Sequence, residues 1–167
     1  ILACDVTKQK VTKIRENLIR TGMHNIKLKK HGAFEWESEW ENAFDLVIAD
    51  LPCSGLGVIG NKCDIKYKTK EEDIQKLAKK QKGMLKILTR YVKPGGYLLF
   101  STCTISPEEN EENAKWLAQD EDWETVDLSA WLPESLQEEQ TENYYLQILP
   151  TMAETDGFFV SAFRKVR

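Results

Sequence analysis

Two short apolar runs, each stopping at a turn that carries a cysteine, most narrowly limit how this chain can fold. Phe44-Asp45-Leu46-Val47-Ile48-Ala49 reads as a short buried strand that runs into Asp50, Pro52, Cys53 and a glycine-rich loop, within ADLPCSGLGVIG. Tyr97 to Thr102 reads as another buried strand and gives way to Cys103, within FSTCTISPEENEE. Between them, Thr69-Lys70-Glu71-Glu72 has the pattern of a capping box, and Ile74, Leu77, Ala78, Met84, Leu85, Leu88 and Tyr91 hold one helical face. A strand followed by a crossover helix leads to a neighbouring parallel strand. With adjacent strands about 4.8 Å apart, the two thiols are expected within about 10 Å of each other.

The rest of the chain alternates in the same way. Ile1 to Cys4 reads as a strand, and Thr7 as the N-cap of a helix with Val11, Ile14 and Leu18 on its apolar face, ending at Gly22. Asn25 to Lys30 is a further strand. Pro94-Gly95-Gly96 reads as a turn, and Ser106-Pro107-Glu108-Glu109 as a helix start with Ser106 as N-cap. Tyr145 to Leu149 and Phe158 to Phe163 are two closing strands joined through Asp156-Gly157. No helix separates these two, so one is expected to run antiparallel at the edge. The fold class is therefore α/β, a mostly parallel sheet covered on both faces. Ligands in such sheets bind beyond the carboxyl ends of the strands, where Asp5, Asp50 and Cys103 converge.

Composition bounds the function classes. The 167 residues, 41% hydrophobic and 30% charged, suit one soluble globular domain. No apolar run is long enough to cross a bilayer, and the first residues lack a basic leader. A net charge of -4 does not advertise nucleic-acid binding, but charge is unevenly placed. Lys62 to Lys82 is lysine-rich, and Glu108 to Glu142 is acidic, with Lys115 its only base. Lys62, Lys66, Lys68 and Lys70 are either a solvated face or a strip that holds phosphates. The five tryptophans are packing residues or stacking faces for bases. The four cysteines have no CxxC spacing and the histidines are only His24 and His31, which argues against a metal site. Reduced thiols and a cytoplasmic location are expected.

An acid at a strand end, here Asp5, often holds ribose hydroxyls roughly 20 residues after a glycine-rich turn; capping of the following helix is the plainer alternative. That turn would fall before residue 1, so the sequence reads as a fragment lacking a first strand and its glycine loop. Paired thiols at strand ends suit one reaction well. Carbon 5 of a pyrimidine is a poor nucleophile until a thiolate adds to carbon 6. The adduct must then lose the carbon 5 proton and eject the thiol, so one cysteine does covalent catalysis and a second group assists release. Asp50 stands where it could serve either the base or a cofactor.

DLPCSGLGVIGNKCDIKYK and STCTISPEENEENAKWL closely resemble the two signature motifs of the Sun-family RNA cytosine-5 methyltransferases. The resemblance runs from ACDVTKQKVTKIRENLIRTG to TDGFFVSAFRK, essentially the whole chain. It implies a Rossmann-like class I fold, with residues 1–167 as the C-terminal part of the catalytic domain. It also implies S-adenosylmethionine as cofactor, and ribosomal RNA, 16S by expectation, as substrate. Cys103 matches the nucleophile and Cys53 the thiol that assists release. Asp5 matches the acid on the cofactor ribose, and Asp50 the acid by the methionine end of the cofactor and the target base. Pro52 shapes that loop. One departure is Gly32, in KLKKHGAFEW, where the family usually has an acid near the adenine. A methyltransferase-like module that binds RNA or protein without turnover is the alternative reading, and a redox dithiol a third.

Overall fold

The computed structural model describes residues 1–133, 144–152 and 155–167. The end of the acidic stretch, 134–142, lies outside them. The chain divides into two compact units, Ile1–Glu37 and Ser38–Arg167.

In the first unit, strand β1 (Leu2–Asp5) pairs in parallel with β2 (Lys27–Lys30), from Leu2 opposite Lys27 to Asp5 opposite Lys30. Helix α1 (Lys8–Thr21) makes the crossover. It begins as its sequence dictates: the Thr7 hydroxyl accepts from the Lys10 backbone N–H at 3.2 Å. It stops at Gly22, whose φ of 70° lets its N–H turn back to the carbonyls of the last turn.

The second unit holds a five-stranded sheet. Strand β3 (Phe44–Asp50) is parallel to β4 (Val92–Thr102), and the chain between them forms a short helix, α2 (Ile65–Lys68), and a long one, α3 (Glu71–Tyr91). The Thr69 capping box does not form. Lys70 is the N-cap and makes no side-chain capping bond, while Glu71, Glu72 and Asp73 face the positive end of the helix dipole. Nor is Pro94-Gly95-Gly96 a turn ahead of the strand. Val92 already pairs with Phe44, and the next paired residues are Leu46 and Tyr97, so Lys93 to Gly96 bulge out within β4.

Helix α4 (Glu111–Ala118) begins later than its acidic run suggests. Ser106 is not its N-cap: the Ser106 hydroxyl donates to Glu108 Oε2 at 2.6 Å, and Pro107 to Asn110 form a turn. Asn110 is held away from helical geometry by Thr102, whose hydroxyl donates to Asn110 Oδ1 at 2.5 Å. Strands β5 (Trp123–Thr125), β6 (Tyr145–Ile148) and β7 (Phe158–Lys165) complete the sheet. The antiparallel strand is β7, with β4 on one side and β6 and β5 on the other.

The core lies along β4 and β7. Leu98 and Phe100 of β4, and Phe159 and Phe163 of β7, are fully buried, with Leu85 of α3 and Leu117 of α4 packed among the buried side chains. The Phe100 and Phe159 rings meet edge to face at 5.7 Å. Strand β3 is not the buried strand its apolar run suggests. It is the outer strand of this sheet, only Ala49 is buried, and Leu46 and Ile48 are 47% and 65% exposed.

Candidate active site

Strand register builds the site. Asp50 lies opposite Ser101 at the carboxyl ends of β3 and β4, and the Leu51 N–H donates to the Ser101 carbonyl at 3.1 Å. Both chains then turn out of the sheet together. Cys53 and Cys103 follow within three residues of that last pair, and their Sγ atoms are 3.3 Å apart. Both thiols are half-buried. Asp50 is exposed beside them in the chain, its Oδ1 accepting from Ser101 Oγ at 3.3 Å.

The Cys53 loop is pinned to the Cys103 loop by backbone contacts. Gly57 N–H donates to the Cys103 carbonyl at 3.1 Å, and Gly157 N–H donates to the Gly57 carbonyl at 2.8 Å. A Cβ on Gly57 would stand 2.4 Å from the Gly157 carbonyl oxygen and 2.8 Å from that of Cys103. Only glycine allows three backbones to approach this closely.

Side chains fix the rest. The Glu109 carboxylate, with no exposed surface, accepts from the Ser54 N–H at 2.9 Å, the Ser54 hydroxyl at 2.5 Å and Gln81 Nε2 at 3.0 Å. Gln81, equally buried on α3, also donates to the Pro52 carbonyl at 3.0 Å and accepts from Asn113 Nδ2 of α4 at 3.0 Å. Ser54 Oγ lies 2.7 Å from Thr104 Oγ1. Hydrogen bonds to a carboxylate are worth about 1.5–3 kcal/mol each, so the loop is held firmly. Sequence reasoning missed Ser54, Gln81, Glu109 and Asn113. A signal existed: Gln81 falls on the face of Ala78 and Leu85, and Asn113 one turn before Leu117, where the helical period calls for apolar residues.

Burial pushes the Cys53 thiol up to about 12, and the hydrogen bond to Cys103 and the charge of Cys103 add to the shift.

Asp5 ends β1 in the first unit. Its Oδ1 accepts from the Thr7 N–H at 3.1 Å, and its Oδ2 lies 3.5 Å from Lys10 Nζ, so it does brace the start of α1. Its side chain keeps 23% exposure, which leaves the carboxylate reachable. At Gly32, a Cβ would meet Glu35 Oε1 at 3.1 Å, so a carboxylate already lies beside the position where an acid was expected. Among the described residues, no group of three or more His, Cys, Asp or Glu side chains is arranged to hold a metal ion, and no helix is long and apolar enough to cross a membrane.

This architecture is that of the class I S-adenosylmethionine-dependent methyltransferases. The chain belongs to the 16S rRNA methyltransferase RsmB/F family, which matches residues 1–164. S-adenosylmethionine, expected from the sequence, is the cofactor of that family. The probable ribosomal RNA small subunit methyltransferase B of Bacillus subtilis is 38% identical over 168 residues, covering 99% of this chain and 37% of the relative. The crystal structure of PH0851 superposes with a TM-score of 0.88 at 29% identity, over 99% of this chain and 37% of that one. The structure of NSun6 from Pyrococcus horikoshii with SFG has a TM-score of 0.80 at 27% identity, over 100% of this chain and 41% of that one. The chain thus spans little more than a third of the length of the curated relatives it matches.

Proposed function

We propose that the protein methylates carbon 5 of cytosine in ribosomal RNA, 16S by the family it belongs to, through a covalent bond between Cys103 and the base. The observation that carries this reading is the 3.3 Å separation of two thiols that leave neighbouring parallel strands together. Cys103 is the nucleophile. Its sulfur adds to carbon 6 of cytosine, which gives carbon 5 the electron density to attack an electrophile. S-adenosylmethionine, when bound, supplies the electrophilic methyl. In the second unit Asp50, an exposed carboxylate at the end of β3, is suited to the cofactor or the base; in the first unit Asp5, at the end of β1 with 23% exposure, is suited to ribose hydroxyls. Glu35 offers the acid that Gly32 lacks.

Release completes the cycle. The proton on carbon 5 must leave and the bond from Cys103 Sγ to carbon 6 must break. Cys53 starts as a thiol, held neutral by burial and by its partner. Once Cys103 Sγ is bonded to the base, its hydrogen bond and charge no longer act on Cys53, and that part of the upward shift vanishes. The Cys53 proton is then more readily lost to solvent, and the resulting thiolate is the base that takes the carbon 5 proton. The target base must be unpaired or flipped out to reach the pair. Of the lysines that follow the Cys53 loop, Lys62, Lys66 and Lys70 are suited to RNA phosphates, while Lys68 is paired with Asp64 at 2.5 Å.

The test is trapping. In the full-length protein, Cys103→Ala should form no covalent adduct with RNA containing 5-fluorocytosine, and Cys53→Ala should accumulate adduct with ordinary RNA. An adduct that persists without Cys103 sinks the assignment. Salt-sensitive RNA binding with no methyl transfer would place the chain among noncatalytic binding modules instead.

A further inference from the structure

Glu109 is a buried carboxylate that forms no ion pair with any described residue, an expensive arrangement for a purely structural contact. Its partners converge on one residue. Ser54, immediately after Cys53, gives it both the backbone N–H and the hydroxyl. Gln81, its third partner, holds the Pro52 carbonyl immediately before Cys53. Cys53 is therefore bracketed on both sides by one carboxylate and one amide. The chain of donors is also directional. Because the Ser54 hydroxyl donates to Glu109 Oε2, the Thr104 hydroxyl donates to Ser54 Oγ across 2.7 Å. Thr104 follows Cys103. The residues after the two cysteines are thus bonded to each other, and both hang from Glu109.

We infer that Glu109 is a positioning residue that sets the distance between the Cys53 and Cys103 sulfurs, acting through Ser54 and Gln81. This rests on the release role proposed for Cys53. With an amide at 109, Oε1 still accepts from the Ser54 N–H and Gln81 Nε2, but the NH2 that replaces Oε2 cannot accept from the Ser54 hydroxyl. The Cys53 loop then loses one anchor while the core around it is unchanged in volume. A displacement of about 1 Å at such a site costs on the order of 100-fold in rate.

The experiment uses the full-length protein and Glu109→Gln, with two readouts. The first is covalent adduct with ordinary substrate RNA on denaturing gels. Glu109→Gln should accumulate it as Cys53→Ala does, with turnover down about 100-fold and thermal stability near the parent's. The second needs no catalysis: the Cys53–Cys103 pair is equilibrated with oxidised and reduced glutathione and its disulfide quantified on the linked peptides. Two thiols lose two protons and two electrons to one glutathione disulfide, giving two glutathione thiols. Glu109→Gln should shift this equilibrium about tenfold or more toward the dithiol. If Glu109→Gln does not fold, Ser54→Ala, which removes only the hydroxyl bonds, should move both readouts the same way by less. Parental turnover, or a parental thiol equilibrium in a folded variant, overturns the inference. If the parent forms no Cys103-dependent adduct, the catalytic reading falls, and the thiol equilibrium still decides the role of Glu109.

Discussion

At the scale of single residues, the chemistry turns on how two neighbouring sulfurs share their protons. The Cys53 thiol is raised to about 12 by burial first and by Cys103 second. The sign of one substitution follows. Cys103→Ala removes the neighbouring hydrogen bond and charge, so the Cys53 pKa should fall toward the value that burial alone sets. Alkylation by iodoacetamide, followed across pH by mass spectrometry, should then become faster at Cys53 in Cys103→Ala than in the parent at any pH below 12. An unchanged rate would mean that burial alone controls Cys53. Cys53 and Cys103 could be named from the sequence because each interrupts a strand with turn chemistry. Glu109 could not, since nothing in a run of acids marks the one that points inward.

At the scale of elements, strand ends and glycine contacts set the precision of the site. Gly57→Ala would drive a methyl into two backbone carbonyls, which cannot step aside as a side chain would. It should cost about 1–3 kcal/mol of stability in urea unfolding and impair release more than RNA binding. Thr7→Ala, in the first unit, should cost about 1 kcal/mol by removing one capping bond, without touching the thiol pair. The start of α1 was legible because its cap is local: a hydroxyl three residues from the N–H it satisfies. The start of α4 differs from its local pattern because other hydrogen bonds engage the capping side chains. Ser106 and Asn110 are engaged by Glu108 and Thr102 instead of capping. The bulge at Lys93–Gly96 was hidden for a similar reason, as it exists only relative to the β3 register.

For the whole molecule, the question is how a chain of net charge -4 approaches RNA. Charge is segregated along the sequence, and the basic part follows the Cys53 loop. Lys66 and Lys70 replaced together by Ala should flatten the dependence of RNA affinity on salt by about 1.4 in log–log slope for a single strand, affecting all sequences alike. The alternation of strands and helices made the α/β class readable, because a crossover helix leaves few choices for the next strand. The exposure of β3 was not readable: a segment with five apolar residues in six looks the same on an outer strand as on an inner one. The most direct measurement is the identity of the cysteine that carries the base. Full-length protein trapped with RNA containing 5-fluorocytosine, digested and sequenced by mass spectrometry, should carry the nucleotide on Cys103 and leave Cys53 a free thiol. A nucleotide on Cys53, or on neither, would contradict the account.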